Sequence, residues 1–181
     1  AYTRAAMCTP SPCCLQTGMT AAHHLFSGNG GFGSTTDGNV QYRTKKEDAK
    51  RPLLCPEPQG NIRFSSIGDV LKAGGYTTAH FGKWHLYGGG PAKHGYDQSD
   101  GETDNKDFRP ATDPKTGRKV QTCEDPKLMF SITGRSIHFM DSAVQARKPF
   151  YLQISHYATH AFYQSRPETL ATVQKDPVFQ K

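Results

Sequence analysis

The chain has one tryptophan, no Cys-x-x-Cys pair and no long apolar run among its 181 residues. Each absence excludes something. A bilayer-spanning helix needs roughly 20 consecutive apolar residues, and no stretch approaches that. Residues 1–7 are too short and too polar to be the apolar part of a secretory leader. The cysteines are Cys8, Cys13, Cys14, Cys55 and Cys123. Their odd count and the lack of a Cys-x-x-Cys pair argue against a structural zinc site. Four of them could pair in an oxidising compartment, but spacing does not assign partners. Adjacent Cys13 and Cys14 read as half-buried helix residues rather than ligands. Aromatic residues are not interleaved with basic ones in the manner of single-strand nucleic-acid binders, so nucleic acid is not an expected partner. The Gly-rich run from Ser27 to Gly38 lacks the Lys-Ser/Thr ending of a phosphate-cradling loop and reads as a surface loop.

What is present is a polar, loop-rich composition. Hydrophobic residues make up 35% of the chain, and 18 glycines and 12 prolines predict many turns. The length suffices for one domain with a core. The net charge is +6, with Lys and Arg scattered apart from a modest cluster between Arg43 and Arg51 that Glu47 and Asp48 interrupt. Small anionic ligands account for such a balance as well as a solvated surface does.

Local signals order the elements. Thr9 and Pro10 suit the start of a helix, with Leu15 on its packed face and Gly18 as its stop. Ser66 and Asp69 form a capping pattern before a second helix whose apolar face is Ile67, Val70 and Leu71, ended by Gly74-Gly75. Tyr76 to Phe81 reads as a strand. Residues 88–126 carry several turns and read as a surface excursion, with room for a small hairpin. Asp125-Pro126 opens a third helix carrying Met129, Ile132, Met140 and Ala143, stopped by Pro149. Phe150 to Ser155 is a charge-free run of β-formers suited to burial on both faces. Helix alternating with strand predicts an α/β fold with a mostly parallel sheet flanked by helices. In such sheets binding groups gather beyond the carboxyl ends of the strands.

Four residues fall at those places: Cys8, Lys83, His85 and His160. A helix N-terminus favours an anion, and a nucleophile beside cationic groups is equipment for attacking an anionic ester. For each residue alone the bland alternative is strong. Most cysteines are small buried residues, a lone lysine is usually a solvated charge, and a lone histidine is usually a satisfied surface or core group.

The order of the motifs weakens those alternatives. Cys8-Thr9-Pro10-Ser11-Pro12-Cys13-Cys14-Leu15-Gln16-Thr17-Gly18 resembles the cysteine signature of the sulfatases of the alkaline phosphatase superfamily, matching at Cys8, Pro10, Ser11, Leu15, Thr17 and Gly18. Gly82-Lys83-Trp84-His85, preceded by Gly74-Gly75-Tyr76-Thr77-Thr78, is similar to the family's lysine element. His94-Gly95-Tyr96-Asp97 resembles the turn that follows it, and the stretch from Lys148 to His160 resembles the family's strand ending in a histidine.

The resemblance implies a partial alkaline-phosphatase-like sandwich and sulfuric ester hydrolysis. It implies that Cys8 is oxidised to formylglycine by a formylglycine-generating enzyme and, in that form, is one ligand of a calcium ion. Lys83 would bind the sulfate, His85 would take a proton during sulfate release, and His160 would help the alcohol oxygen depart. Trp84 is expected to pack. His156 is expected behind the site or at the surface, and His23, His24, His80 and His138 have no implied role. The implied substrate is a sulfated small molecule or polysaccharide, and the implied location is the periplasm or the cell exterior. The family's paired aspartate near its start and its later Asp-Asn pair are not matched here. The chain opens at Ala1 without methionine, so residues 1–181 are expected to be one interior piece of the catalytic domain, truncated at both ends and inactive alone. One position departs from the signature: Pro12 stands where the family has arginine, which leaves the modification of Cys8 open. A phosphate or phosphonate ester hydrolase of the same superfamily, a non-catalytic sulfatase-like binding protein and a cysteine hydrolase remain alternatives.

Overall fold

The computed structural model describes residues 8–20, 65–86, 88–104, 112, 114–115, 117, 122–160 and 162–180. The run from Ser27 to Gly38, the basic cluster around Arg43 to Arg51, and Cys55 lie outside the described residues. The elements are helix α1 (Pro10–Thr17), helix α2 (Ile67–Ala73), strand β1 (Thr77–Gly82), strand β2 (Gln98–Ser99), helix α3 (Met129–Gln145), strand β3 (Phe150–Ser155) and helix α4 (Pro167–Val173). Among the described residues three short 3-10 turns add to these, at Pro91–Lys93, Pro126–Leu128 and Pro177–Gln180.

The three strands form one all-parallel sheet in the order β2-β1-β3. The expected α/β architecture with a parallel sheet between helices is therefore observed, consistent with part of an alkaline-phosphatase-like fold. Strand β1 is central and pairs with β3 along its whole length, from Thr77 opposite Phe150 to Gly82 opposite Ser155. Because side chains alternate along a strand, β1 serves two cores. Ala79 and Phe81 pack with Ile132 and Phe139 of α3 and with Tyr157. On the other face Trp84, Leu86 and Tyr96 pack with Cys13 of α1, and Tyr151 joins them.

Helix α2 starts as the sequence predicts. The Ser66 hydroxyl accepts from Asp69 N–H at 3.0 Å, and the Asp69 carboxylate accepts from Ser66 N–H at 2.8 Å, which closes a capping box. Its packed face differs from the expectation: Val70 is 61% exposed, whereas Gly68 is buried against the His94 carbonyl and the Tyr96 ring. That contact needs a residue without a side chain, so the smallest residue of the helix faces inward.

Helix α1 shows a similar exchange. Leu15 is 59% exposed, while Cys13, Cys14 and Gln16 are buried. The two cysteines are thus fully inside rather than half-buried. Gln16 is tolerated there because its amide is satisfied. Gln16 Nε2 donates to Gln153 Oε1 at 2.9 Å, and Gln16 Oε1 accepts from the Tyr96 hydroxyl at 2.9 Å. Gln153 also accepts from Tyr151 at 3.1 Å. This buried polar network pins α1 to β3 and to the turn before β2. Gly18 adopts the left-handed conformation that ends α1, donating its N–H to the Cys14 carbonyl at 2.9 Å.

Asp125 and Pro126 open a 3-10 turn rather than α3 itself. The Asp125 carboxylate reaches past that turn to accept from Phe130 N–H at 2.8 Å and Ser131 N–H at 3.1 Å, so it still caps the helix. Ile132, Ser136, Phe139 and Ala143 then form the buried face, and Met129 stays exposed. In β3 only Gln153 is fully buried and Ile154 is 42% exposed, so its two-sided burial is incomplete.

The first part of the expected surface excursion belongs to the core of the fold. Gly90, Pro91, His94 and Tyr96 are buried, and Gln98–Ser99 adds an edge strand parallel to β1. Asp97 ties the turn to β1 by accepting from Thr78 N–H at 3.0 Å, and it pairs with Lys72 of α2 at 2.7 Å. The described residues between 100 and 126 contain no hairpin. Among the described residues no helix is long and apolar enough to cross a membrane.

Candidate functional site

The chain leaves β1 at Gly82 and turns sharply, with Gly82 at φ 95° and His85 at φ 52°. Both values lie in the left-handed region, which only glycine enters freely. The turn directs Lys83 and His85 to the carboxyl end of the sheet and drives Trp84 inward, where it is 1% exposed. Trp84 stacks on His94 with ring centroids 5.6 Å apart and meets His80 and Tyr96 edge-on. The expected packing role of Trp84 is observed.

His80, for which the sequence offered no role, is buried on the same face as Trp84. Its Nε2 lies 3.3 Å from the Ser155 hydroxyl, and its Nδ1 has no hydrogen-bond partner. Burial pushes its pKa down to about 4, against a smaller opposing pull from Asp100. It is a neutral core histidine. The exposed His138 and His156 sit on α3 and just beyond β3.

Around His85 the chain brings distant segments together. Its ring feels the Cys8 backbone and the charges of Lys83, Asp104 and His160, and its Nδ1 is buried without a hydrogen-bond partner. Burial lowers its pKa first, and Lys83 and His160 add to the lowering. Asp104 and the Cys8 backbone oppose them. The ring is thereby biased to the neutral form, able to accept a proton. Cys8 is a half-buried free thiol one residue before Thr9 and α1. Lys83 follows β1 directly, its N–H donating to the Ser155 carbonyl at 2.8 Å. His160 is exposed after β3, and its N–H donates to the Tyr157 carbonyl at 2.9 Å. Cys8, Lys83, Asp104 and His160, from four separate stretches of the chain, thus act on one imidazole.

A cleft of about 320 Å³ opens beside His85, lined also by Leu86, Glu102, Thr103 and Asp104. Of the residues around it, Thr103 and Asp100 escaped sequence reading. Asp104 lies beside His85, Thr103 braces the turn that carries it, and Asp100 accepts the Gly82 N–H at 2.8 Å. Asp104-Asn105 looks like the family's Asp-Asn pair but stands before His160, in the wrong order for it, and a brace made to backbone atoms leaves no periodic signal.

The resemblance implies two groups at this site, formylglycine and calcium. Cys8, the residue the resemblance marks for formylglycine, is a half-buried free thiol just before α1. Calcium takes six to eight oxygen ligands, and among the described residues no three His, Cys, Asp or Glu side chains are grouped to hold a metal ion. The described residues therefore do not fit a calcium site by themselves, and no chemical step is assigned to one.

No curated protein matches the chain. The sulfatase family model matches it over residues 1–178, a span that takes in the cysteine signature, the Lys83–His85 turn and the His160 segment. With that match across nearly its whole length and those three segments gathered at one end of a parallel sheet, the chain belongs to the sulfatase family.

Proposed function

We propose that this chain hydrolyses sulfate esters through residue 8, converted to formylglycine, as part of a sulfatase catalytic domain. The observation that supports the reading is that the Cys8 backbone, Lys83 and His160 all act electrostatically on the His85 ring. Hydrated formylglycine offers two hydroxyls on one carbon, one to attack sulfur and one to release the sulfate afterwards. Lys83 neutralises charge on the sulfate oxygens, where a fixed cation needs no reorganisation as the reaction proceeds. His160, on the open side of the site, holds the ester oxygen and gives it a proton as the S–O bond to the alcohol breaks. His85, kept neutral by burial and by Lys83, takes the proton from the second hydroxyl at residue 8. The periplasm or the cell exterior is the compartment in which such a protein is proposed to work, on a sulfated small molecule or a sulfated polysaccharide.

Pro12 supports a second reading. It occupies the first turn of α1, where the family signature has a cation. A chain whose Cys8 escapes oxidation would be a sulfatase-like binder of sulfated ligands. Mass spectrometry of the Cys8 peptide, from full-length protein made with a formylglycine-generating enzyme, separates the two. The aldehyde lowers the peptide mass; an intact thiol favours the binder. Sulfate, phosphate and phosphonate esters of one phenol should then be compared. Preferred turnover of the phosphate or phosphonate ester would remove the sulfatase assignment.

A further inference from the structure

We infer that Thr103 is the positioning residue of the site, fixing through three hydrogen bonds the directions in which Lys83 and His85 leave β1. This rests on the reading of Lys83 and His85 given above. The backbone from Gly82 to His85 enters the left-handed region twice, at Gly82 and at His85. For His85 that conformation is uncommon, although histidine enters it more often than most residues, and it persists when the surroundings hold it.

Thr103 supplies the hold from a single residue. Its Oγ1 accepts the Trp84 N–H at 2.9 Å and donates to the Gly82 carbonyl at 2.7 Å. Its own carbonyl accepts the His85 N–H at 2.7 Å. The hydroxyl thus spans the turn, and the carbonyl fixes the residue at its end. A hydroxyl donates and accepts at one atom, so a short side chain such as threonine's can bridge an N–H and a C=O two residues apart. The brace is itself anchored. Thr103 N–H donates to the Gly101 carbonyl at 3.0 Å, and Asp100 accepts the Gly82 N–H at 2.8 Å while pairing with Arg135 of α3 at 2.9 Å. Thr103 also lines the cleft beside His85, so loosening it frees the imidazole on its open side.

The test uses the full-length protein with Thr103→Val and Thr103→Ser. Valine keeps the shape and loses both hydroxyl bonds; serine keeps them. A displacement of about 1 Å at a reacting group costs roughly 10²-fold in rate. Thr103→Val is therefore expected to lower kcat/KM for an aryl sulfate about 10²-fold, chiefly in kcat, and Thr103→Ser to restore it to within a few-fold. Amide exchange at Trp84 and His85 in the unaltered protein gives a second measurement that needs neither a folded variant nor turnover. Both amides are expected to be protected, and exchange as fast as in an open loop overturns the inference. A valine variant that melts lower but turns over like the parent also overturns it, because that is what a purely structural contact would do. If the parent shows no sulfate ester turnover while both amides are protected, the brace stands and the sulfatase reading falls.

Discussion

Gly82 and Ser155 meet at the ends of β1 and β3 with no room between them for a side chain, because a Cβ at position 82 would run into the Ser155 carbonyl. The next amide, Lys83 N–H, donates to that same carbonyl at 2.8 Å. The close approach lets the β1 backbone turn over β3 and sets Lys83 beside the segment that leads to His160. Gly82→Ala combines backbone strain at φ 95° with a clash against main chain that cannot rotate away. We expect it to destabilise the fold by about 2–4 kcal/mol in urea unfolding. A midpoint close to that of the parent would show that the two strand ends can part cheaply.

Buried His80 makes stability depend on pH. Its folded pKa of about 4 lies below the unfolded value of about 6.5. Between those values the unfolded chain holds a proton that the folded chain does not, so stability rises with pH through that window. The contribution is complete above about pH 6.5 and is lost as pH falls toward 4. From pH 7 to pH 5 the loss assigned to His80 is about 2 kcal/mol. His80→Phe keeps a ring against Trp84 and Tyr96 and removes the titration. Chemical unfolding at the two pH values should show a flatter dependence in the variant, and parallel curves would refute the assignment.

The network at Gln153 is expected to decide whether α1 stays seated. Gln153→Leu leaves donors on Gln16 and Tyr151 without their acceptor in a buried site. Orphaned buried groups cost about 1–3 kcal/mol each. Cys13 reports the event, since it is fully buried and burial raises its pKa to about 12, with smaller effects of Cys14 and Thr17. Under native conditions Cys13 should resist a thiol reagent in the parent and react measurably faster in the variant. Equal labelling rates, located by peptide mapping, would mean the helix is held by other contacts.

Asp125 caps α3 from beyond the intervening 3-10 turn. Asp125→Ala is expected to remove about 1–2 kcal/mol from the stability of the fold, and Asp125→Asn to recover much of it. Thermal unfolding that ranks alanine with the parent would remove the capping role.

The elements best read from sequence were those marked by local chemistry. Ser66 and Asp69 announce a capping box, Pro149 followed by uncharged β-formers announces β3, and Gly74-Gly75 ends α2. The inward faces of the short helices were misread because seven or eight residues hold barely two turns, too few for periodicity to outweigh a specific contact. Gly68 turns inward because Tyr96 needs the space, and Gln16 because Gln153 and Tyr96 satisfy it. Strand β2 has only two residues and no pattern to read. At the candidate site, Cys8, Lys83, His85 and His160 stood out through motif order. Thr103 and Asp100 did not, because a side chain that bonds to distant backbone looks in the sequence like any other turn residue.

The left-handed backbone of His85 limits what mutagenesis at that position can report. A β-branched replacement would disturb main chain and imidazole together, and a loss of turnover could then be charged to either. Asparagine enters that region of φ and ψ readily and carries no ring, so it separates the proton-accepting group from the path of the chain. Any substitution survey across this turn will therefore rank residues partly by how well they tolerate a positive φ, and a chemical role for the ring should be judged only among those that do.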